Sequence, residues 1–465
     1  MSLRLNRHLS GFRLHQLLEI ILRCRTQIFP RFLALQHFST SATKHLRNSL
    51  TPNSYSPKHF KMIDPITSRR EFLKFLAASP ILTATGFPPE LLGQSAAEVD
   101  IQKHLISAVD EAINVFDFEK VAKSQLPPAH WGYLASGVEN DTTLHANIDA
   151  FKKYHLRPRR LIDVSHIDMK RKLFGVEWDS PIFLCPVASQ KAFHPEGEIA
   201  VARAARQQKH LQVLSTAGTS SVEDVIAARG APIWYQLYTY GWDITKSMVQ
   251  RVDATGCPVL VLTVDQHLPG QNSETRFQYV RKDTRSCIEC HIPEDRLRNK
   301  PMFDQVNLDT YDGGYRSKMI WEIIVKLREV TDMKIVLKGI VTHEDAKLCL
   351  KHGVDGIIVS NHGGRAQETG WATLDSLPEV VKAIDGKIPV MIDSGFRRGT
   401  DIYKALALGA SAVGIGRTYL WGLAAFGQEG VERVLELLRL ELQLAMMSTG
   451  ARTLDEISRT SIGSL

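Results

Sequence analysis

The chain has 465 residues, 44% of them hydrophobic, enough for one large α/β domain plus extensions. It contains no uninterrupted apolar run of the ~18 residues that an ordinary membrane-spanning helix needs. The formal charge of +7 is concentrated at the start, where the first 61 residues carry seven Arg and three Lys against the single acid Glu19. The remainder is close to neutral, which argues against nucleic-acid binding through a basic surface.

Residues 1–61 are rich in Arg, His and Ser. They resemble an organellar transit peptide or a stretch upstream of the working start, and no packed core is expected of them. Ser68-Arg69-Arg70-Glu71-Phe72-Leu73-Lys74, followed by a modestly apolar run from Phe75 to Phe87, resembles a twin-arginine export signal. Met62 is a sensible start for it, and Ser95, Ala96 and Ala97 offer a cleavage site. The two leaders conflict, and the twin-arginine pattern is preferred because it matches at seven consecutive positions. On this reading residues 62–97 are a signal, and 98–465 form the working domain. Its place is then the periplasm if the source is bacterial, with a mitochondrial or cytoplasmic location as the alternatives. The twin-arginine route carries folded proteins, which suits a chain that binds a cofactor before export.

Residues 110–160 are expected to form a small helical cap, with Gly132–Gly137 (GYLASG) marking a helix-to-turn stop. From Pro181 onward, short apolar runs alternate with helical patterns. The runs are Pro181–Ala188, Gln212–Ala217, Pro232–Tyr238, Pro258–Asp265, Lys334–Ile340, Gly356–Asn361, Pro389–Gly395 and Ala412–Arg417. They lack alternation between polar and apolar residues, as parallel strands buried on both faces do. Amphipathic segments such as Glu198–Gln208, Ile244–Ala254, His343–His352 and Asp401–Leu408 lie between them. Eight such repeats predict an α/β fold, a (β/α)8 TIM barrel with a short N-terminal helical cap.

About 50 residues separate Asp265, at the end of the fourth run, from the helix expected around Met319–Val330, far more than the usual loop. This is the place for a long lid. It contains Cys287-Ile288-Glu289-Cys290-His291, the spacing of a c-type haem attachment site. A lid disulfide, a thiol pair or a metal clip is the preferred reading, because a highly charged loop offers a haem little apolar wrapping. Cys185, Cys257 and Cys349 fall in or beside barrel elements and read as buried small hydrophobes.

Barrel enzymes build their sites at the C-terminal ends of the strands. Those ends carry Pro186-Val187-Ala188, Ser215, Gln236 and Tyr238, Thr263 and Asp265, Lys338, Ser360 to His362, Asp393-Ser394-Gly395, and Gly416-Arg417. A polar ring on an apolar scaffold predicts a ligand. The segment from Asp393 through Arg397 into a helix, together with Gly416-Arg417, has the makings of a phosphate cradle. His362 near a neutral pKa suits a base, Arg365 suits a carboxylate clamp, and Asp265 suits a partner for the imidazolium. No resident metal site is predicted.

PVASQKAFHPEGE, QLYTY, LTVD, VLKGI, IIVSNHGGR, IDSGFRRGTDIYKALALGA and VGIGR closely resemble the FMN-dependent α-hydroxy-acid oxidase and dehydrogenase family, in order, from about Phe116 to Ile462. The resemblance implies FMN as cofactor and two-electron oxidation of a small 2-hydroxy acid to a 2-oxo acid. It implies His362 as base with Asp265 as partner, and Tyr133, Tyr238 and Arg365 on the substrate. Lys338 would neutralise charge on the flavin. Pro186, Val187 and Ala188 would line the flavin, and Ser215, Gln236 and Thr263 would bond its ring. Ser360, Asp393, Ser394, Gly395, Arg397, Gly416 and Arg417 would complete its site. A homo-oligomer, a tetramer by resemblance, is implied, with oxygen, a quinone or a cytochrome as electron acceptor. Two departures stand out. Asn272 occupies the place of a second carboxylate-binding Arg, for which Arg276 is a candidate replacement. Ala217 stands where glycolate oxidase has a Trp, which predicts a roomier pocket. The alternatives are a flavin-binding barrel with altered or lost activity, and an electron carrier with haem at Cys287 and Cys290.

Overall fold

The computed structural model describes residues 105–265, 272–283, 297–304, 306–309, 311 and 319–465. Both leader segments and Cys287–His291 lie outside them.

Three helices come first: α1 (Val115–Gln125), α2 (Pro128–Ala135) and α3 (Thr142–Asp149). The Asn114 side chain caps α1 by accepting the Phe116 N–H at 2.9 Å. α2 starts on Pro128, whose missing N–H costs nothing in a first turn, and stops at Ala135, inside GYLASG. Strand β1 (Tyr154–Leu156) follows, then a hairpin of β2 (Arg171–Leu173) and β3 (Val176–Trp178). The hairpin turn has positive φ at Phe174 and Gly175, the turn geometry that matches strand twist. Phe174 and Trp178 pack their rings on Trp234 at 5.6 and 6.1 Å, so the hairpin plugs the N-terminal mouth of the barrel.

The barrel strands are β4 (Ile182–Leu184), β5 (Leu211–Ser215), β6 (Trp234–Leu237), β7 (Val259–Thr263), β8 (Lys334–Ile340), β9 (Gly356–Val359), β10 (Val390–Ile392) and β11 (Val413–Ile415). Each pairs in parallel with its sequence neighbours, and β11 closes on β4. All eight fall within or next to the expected apolar runs, and several are shorter. The outer helices are α4 (Gly197–Gln207), α5 (Val222–Arg229), α6 (Trp242–Asp253), α8 (Glu322–Arg328), α9 (His343–Lys351), α10 (Thr373–Ile384), α11 (Gly399–Ala407) and α12 (Arg417–Thr449), the last broken at Phe426 and Gly427. α7 (Glu274–Val280), capped by Ser273, lies instead in the long connection after β7 and packs on α2 through Tyr279 and Gly132. The final strand β12 (Ile462–Ser464) pairs antiparallel with β1.

The barrel interior explains where the polar ring comes from. Phe183, Val213, Trp234, Val261, Val336, Ile358 and Met391 belong to one buried cluster inside the staves. Side chains two residues apart on a strand share a face. Two residues on from these seven stand Cys185, Ser215, Gln236, Thr263, Lys338, Ser360 and Asp393, all buried. The dry layer and the polar layer above it are therefore the same inward faces, read in the C-terminal direction.

Candidate active site

A cavity of about 400 Å³ opens above the polar layer. Among its lining residues are Tyr133, Pro186, Val187, Ala188, Ser215, Tyr238, Lys338, His362, Arg365, Asp393, Ser394, Gly395, Arg397, Gly416 and Arg417. Four expected members, Asp265, Gln236, Thr263 and Ser360, sit behind these and touch them. The Ser215 hydroxyl donates to Gln236 Oε1 and Gln236 Nε2 donates to Thr263 Oγ1, both at 3.0 Å, tying β5, β6 and β7 together.

His362 Nδ1 lies 2.9 Å from Asp265 Oδ1, and its Nε2 lies 3.3 Å from the Tyr238 hydroxyl. The imidazole is reached by a backbone with φ +60 at His362, a conformation that costs energy in a residue with a side chain. Burial pushes the Asp265 pKa up, but the electrostatic pull of His362 and Lys338, together with the hydrogen bond from His362, outweighs it and holds the carboxyl below its usual range. Space for Asp265 depends on Gly339. A Cβ there would come within 2.6 Å of the Asp265 Cβ, and Gly339 sits at φ +113 in a register shift of β8.

Lys338 is buried at the cavity wall. Its ammonium donates to Ser360 Oγ at 2.8 Å and lies 3.2 Å from Asp393 Oδ2. Ser360 in turn donates to Asp393 Oδ1 at 2.6 Å. Burial pulls the Lys338 pKa down, and the nearby Asp393 and Asp265 more than reverse this, so the ammonium is held above its usual range. The ammonium thus persists at neutral pH on the edge of the cavity.

Arginines crowd the other end. Arg417 donates to the carbonyls of Leu134, Gly363 and Ser136 at 2.8–2.9 Å, and Arg365 to those of Tyr133 and Ser136 at 2.7 and 2.6 Å. The carbonyls left over at the end of α2 are thus satisfied by cations. Arg397 donates to the Phe396 carbonyl at 2.9 Å and stacks over Trp421 at 4.7 Å. Burial, then the neighbouring Arg365 and Arg397, push the Arg417 pKa well down. Neither Arg397 nor Arg417 has a carboxylate within ion-pair distance among the described residues. Acids act on them only from beyond that distance, Glu119 and Asp401 on Arg397 and Asp141 on Arg417, so the buried guanidiniums keep positive charge for an anion. Gly416, at the N-cap of α12, faces open space in the cavity: an added Cβ would meet nothing within 4 Å. This is a helix N-terminus shaped for a phosphate. The residues therefore fit a flavin mononucleotide, whose phosphate suits this end.

Some site residues escaped the sequence reading. Asn147, on α3, exchanges two amide hydrogen bonds with Asn361 at 2.9 and 2.8 Å, anchoring the loop that carries His362. Asp141 lies in the turn before α3 and bonds the Gly137 N–H and the Thr275 hydroxyl. Cys185 is a buried core thiol as expected, and it also lines the cavity, its Sγ 3.7 Å from Asp393 Oδ2. Nothing local in the sequence marks Asn147 or Asp141, since their partners lie on distant segments. Asn272 and Arg276 are both exposed, but only Arg276 lines the cavity.

The sequence profile of the FMN-dependent dehydrogenase family matches residues 122–464. Glycolate oxidase 3 of Arabidopsis thaliana is 40% identical over 365 residues, covering 76% of this chain and 96% of the relative. A peroxisomal (S)-2-hydroxyacid oxidase of the same plant is 37% identical over 356 residues, 76% of this chain and 97% of its own. A soluble mutant of the membrane-associated (S)-mandelate dehydrogenase from Pseudomonas putida superimposes with a TM-score of 0.69 at 33% identity, over 76% of this chain and 100% of that one. The chain belongs to the FMN-dependent dehydrogenase family and is an FMN-dependent enzyme of 2-hydroxy-acid oxidation.

Proposed function

We propose that a 2-hydroxy acid binds between His362, Tyr238, Tyr133 and Arg365, and that His362 is the base that removes a substrate proton. The observation that carries this is the His362–Asp265 pair at 2.9 Å, with the imidazole lining the cavity. An Nδ1–H donated to Asp265 leaves Nε2 to accept a proton, and the carboxylate then stabilises the imidazolium. Arg365 meets the substrate carboxylate, while Tyr133 and Tyr238 offer hydroxyls. Bound FMN supplies the two-electron acceptor. Lys338 holds a persistent positive charge beside the flavin ring. Arg397, Gly416 and Arg417 hold the phosphate. Asp393, Ser360, Ser394 and Gly395 serve the sugar chain, Pro186, Val187 and Ala188 the flank of the ring, and Ser215, Gln236 and Thr263 its polar edge.

The preferred substrate carries a side chain larger than that of glycolate, because Ala217 lines the cavity where a Trp would fill it. The reading extends to a homotetramer, to export of residues 98–465 by the twin-arginine segment, and to oxygen, a quinone or a cytochrome as acceptor. Sedimentation, cell fractionation and reoxidation rates with each acceptor test these three. The main reading is tested by adding a panel of 2-hydroxy acids anaerobically to the FMN-loaded protein. Bleaching of the flavin is expected, and its absence with every acid would sink the proposal.

A further inference from the structure

Asn272 does not point a side chain into the cavity; its carbonyl accepts the Glu139 N–H at 2.6 Å, and Glu274 N–H returns a bond to the Glu139 carbonyl at 2.9 Å. This short ladder leads into α7, which carries Arg276. The Arg276 guanidinium lies 5.6 Å from the centre of the Tyr133 ring, and that of Arg365 lies 4.6 Å from the same ring. All three line the cavity. A carboxylate beside the Tyr133 hydroxyl would thus have two guanidiniums in the same neighbourhood, one from the loop after β9 and one from the lid.

α7 is seated by specific contacts. Gly132 on α2 lets the helices approach so closely that a Cβ there would fall 2.6 Å from the Tyr279 Cβ. The Asp283 carboxylate accepts the Ala129 N–H at 3.0 Å, in the first turn of α2. Between them, buried Asp141 is held at φ +68, accepting the Gly137 N–H at 2.6 Å with one oxygen and the Thr275 hydroxyl with the other. A residue with a side chain in the left-handed region is a strained one, retained where its surroundings require it. Here it links the end of α2, which carries Tyr133, to the residue preceding Arg276.

We propose that Arg276 is the second substrate-carboxylate contact of this enzyme, moved one helical turn along the lid from Asn272, and that Asp141 is the positioning residue that seats it. The inference rests on the 2-hydroxy-acid reading of the same cavity.

The test uses the FMN-loaded full chain and oxalate as a carboxylate probe, with binding followed by the perturbed flavin absorbance. Arg276→Met is expected to weaken oxalate about tenfold or more, the scale of one lost charge-assisted contact. Arg276→Lys is expected to recover part of that, and both variants keep their FMN. Asp141→Asn, and Gly132→Ala as a variant that removes no polar group, should each weaken oxalate about threefold or more. In the Arg276→Met background these two changes should have almost no further effect, because they act through the missing side chain. Oxalate affinity within about twofold of wild type in Arg276→Met, or no oxalate binding by the wild type, would overturn the ligand role. Fully additive losses would overturn the positioning role. A flavin that no 2-hydroxy acid bleaches defeats the functional reading separately, since oxalate binding reports without turnover.

Discussion

Asp265 and His362 meet at 2.9 Å although they extend from β7 and β9, which are not neighbours in the barrel. The intervening strand β8 gives way to them at Gly339, where the register shifts and the absence of a side chain leaves room for the carboxylate. The Asp265 carboxylate thus reaches the proposed base from β7 because β8 leaves room for it at Gly339.

If His362 is the base, His362→Ala will retain FMN and slow anaerobic flavin reduction by about 10²- to 10⁴-fold, the usual worth of general-base catalysis. Asp265→Asn will slow it too, by changing the tautomer and removing the charge that stabilises the imidazolium. Stopped-flow absorbance measures both. Reduction at the wild-type rate in His362→Ala removes the assignment.

The same pair affects stability against acid. The folded pKa of Asp265 lies below its unfolded value of about 3.9, so its contribution is fully present above that pH and is lost as pH falls through the folded value. Urea midpoints of the wild type should consequently drop more steeply below about pH 4 than those of Asp265→Asn. Parallel curves would mean that the pair contributes nothing to the acid limb.

Gly339→Ala places a methyl 2.6 Å from the Asp265 Cβ at a backbone angle unsuited to alanine. A loss of about 3 kcal/mol or more is expected, together with impaired flavin reduction. Gly353→Ala also has positive φ, but its Cβ meets nothing within 4 Å, so only the backbone cost of about 1–2 kcal/mol applies. Comparing the two denaturation midpoints separates crowding from conformation.

Arg417→Met removes a buried cation at the proposed phosphate site. FMN affinity should fall about tenfold or more, measured by quenching of flavin fluorescence on binding. Wild-type protein stripped of FMN should melt at a lower temperature and recover on reloading, because a ligand that binds only the folded state stabilises it. Unchanged FMN affinity in Arg417→Met would place the phosphate elsewhere.

Ala217→Trp fills the cavity beside Ser215. The ratio of kcat/KM for glycolate to that for a longer 2-hydroxy acid should rise, by about tenfold on the scale of one or two methylenes accommodated or refused. A ratio that stays put would show that Ala217 does not limit the substrate side chain.

Much of this site was readable because a barrel strand obeys a simple period. Val336 to Lys338, Ile358 to Ser360 and Met391 to Asp393 each step from the dry interior to the polar rim in two residues, and continuing two more from Ser360 reaches His362. Strand ends, and hence Tyr238, Asp265, His362 and Arg417, could be found by counting along apolar runs. The motifs near them carried the resemblance to a flavin family.

What counting could not reach was every contact made across long separations. Asn147 meets Asn361 across 214 positions, and Asp141 meets Thr275 across 134. The sequence by itself determined which faces are dry, which ends are polar and what chemistry those ends can support, because side-chain direction in a strand is a local property. Only the tertiary structure decided which lid residue faces the cavity, Arg276 and not Asn272, because that depends on how closely two helices distant in the chain can pack.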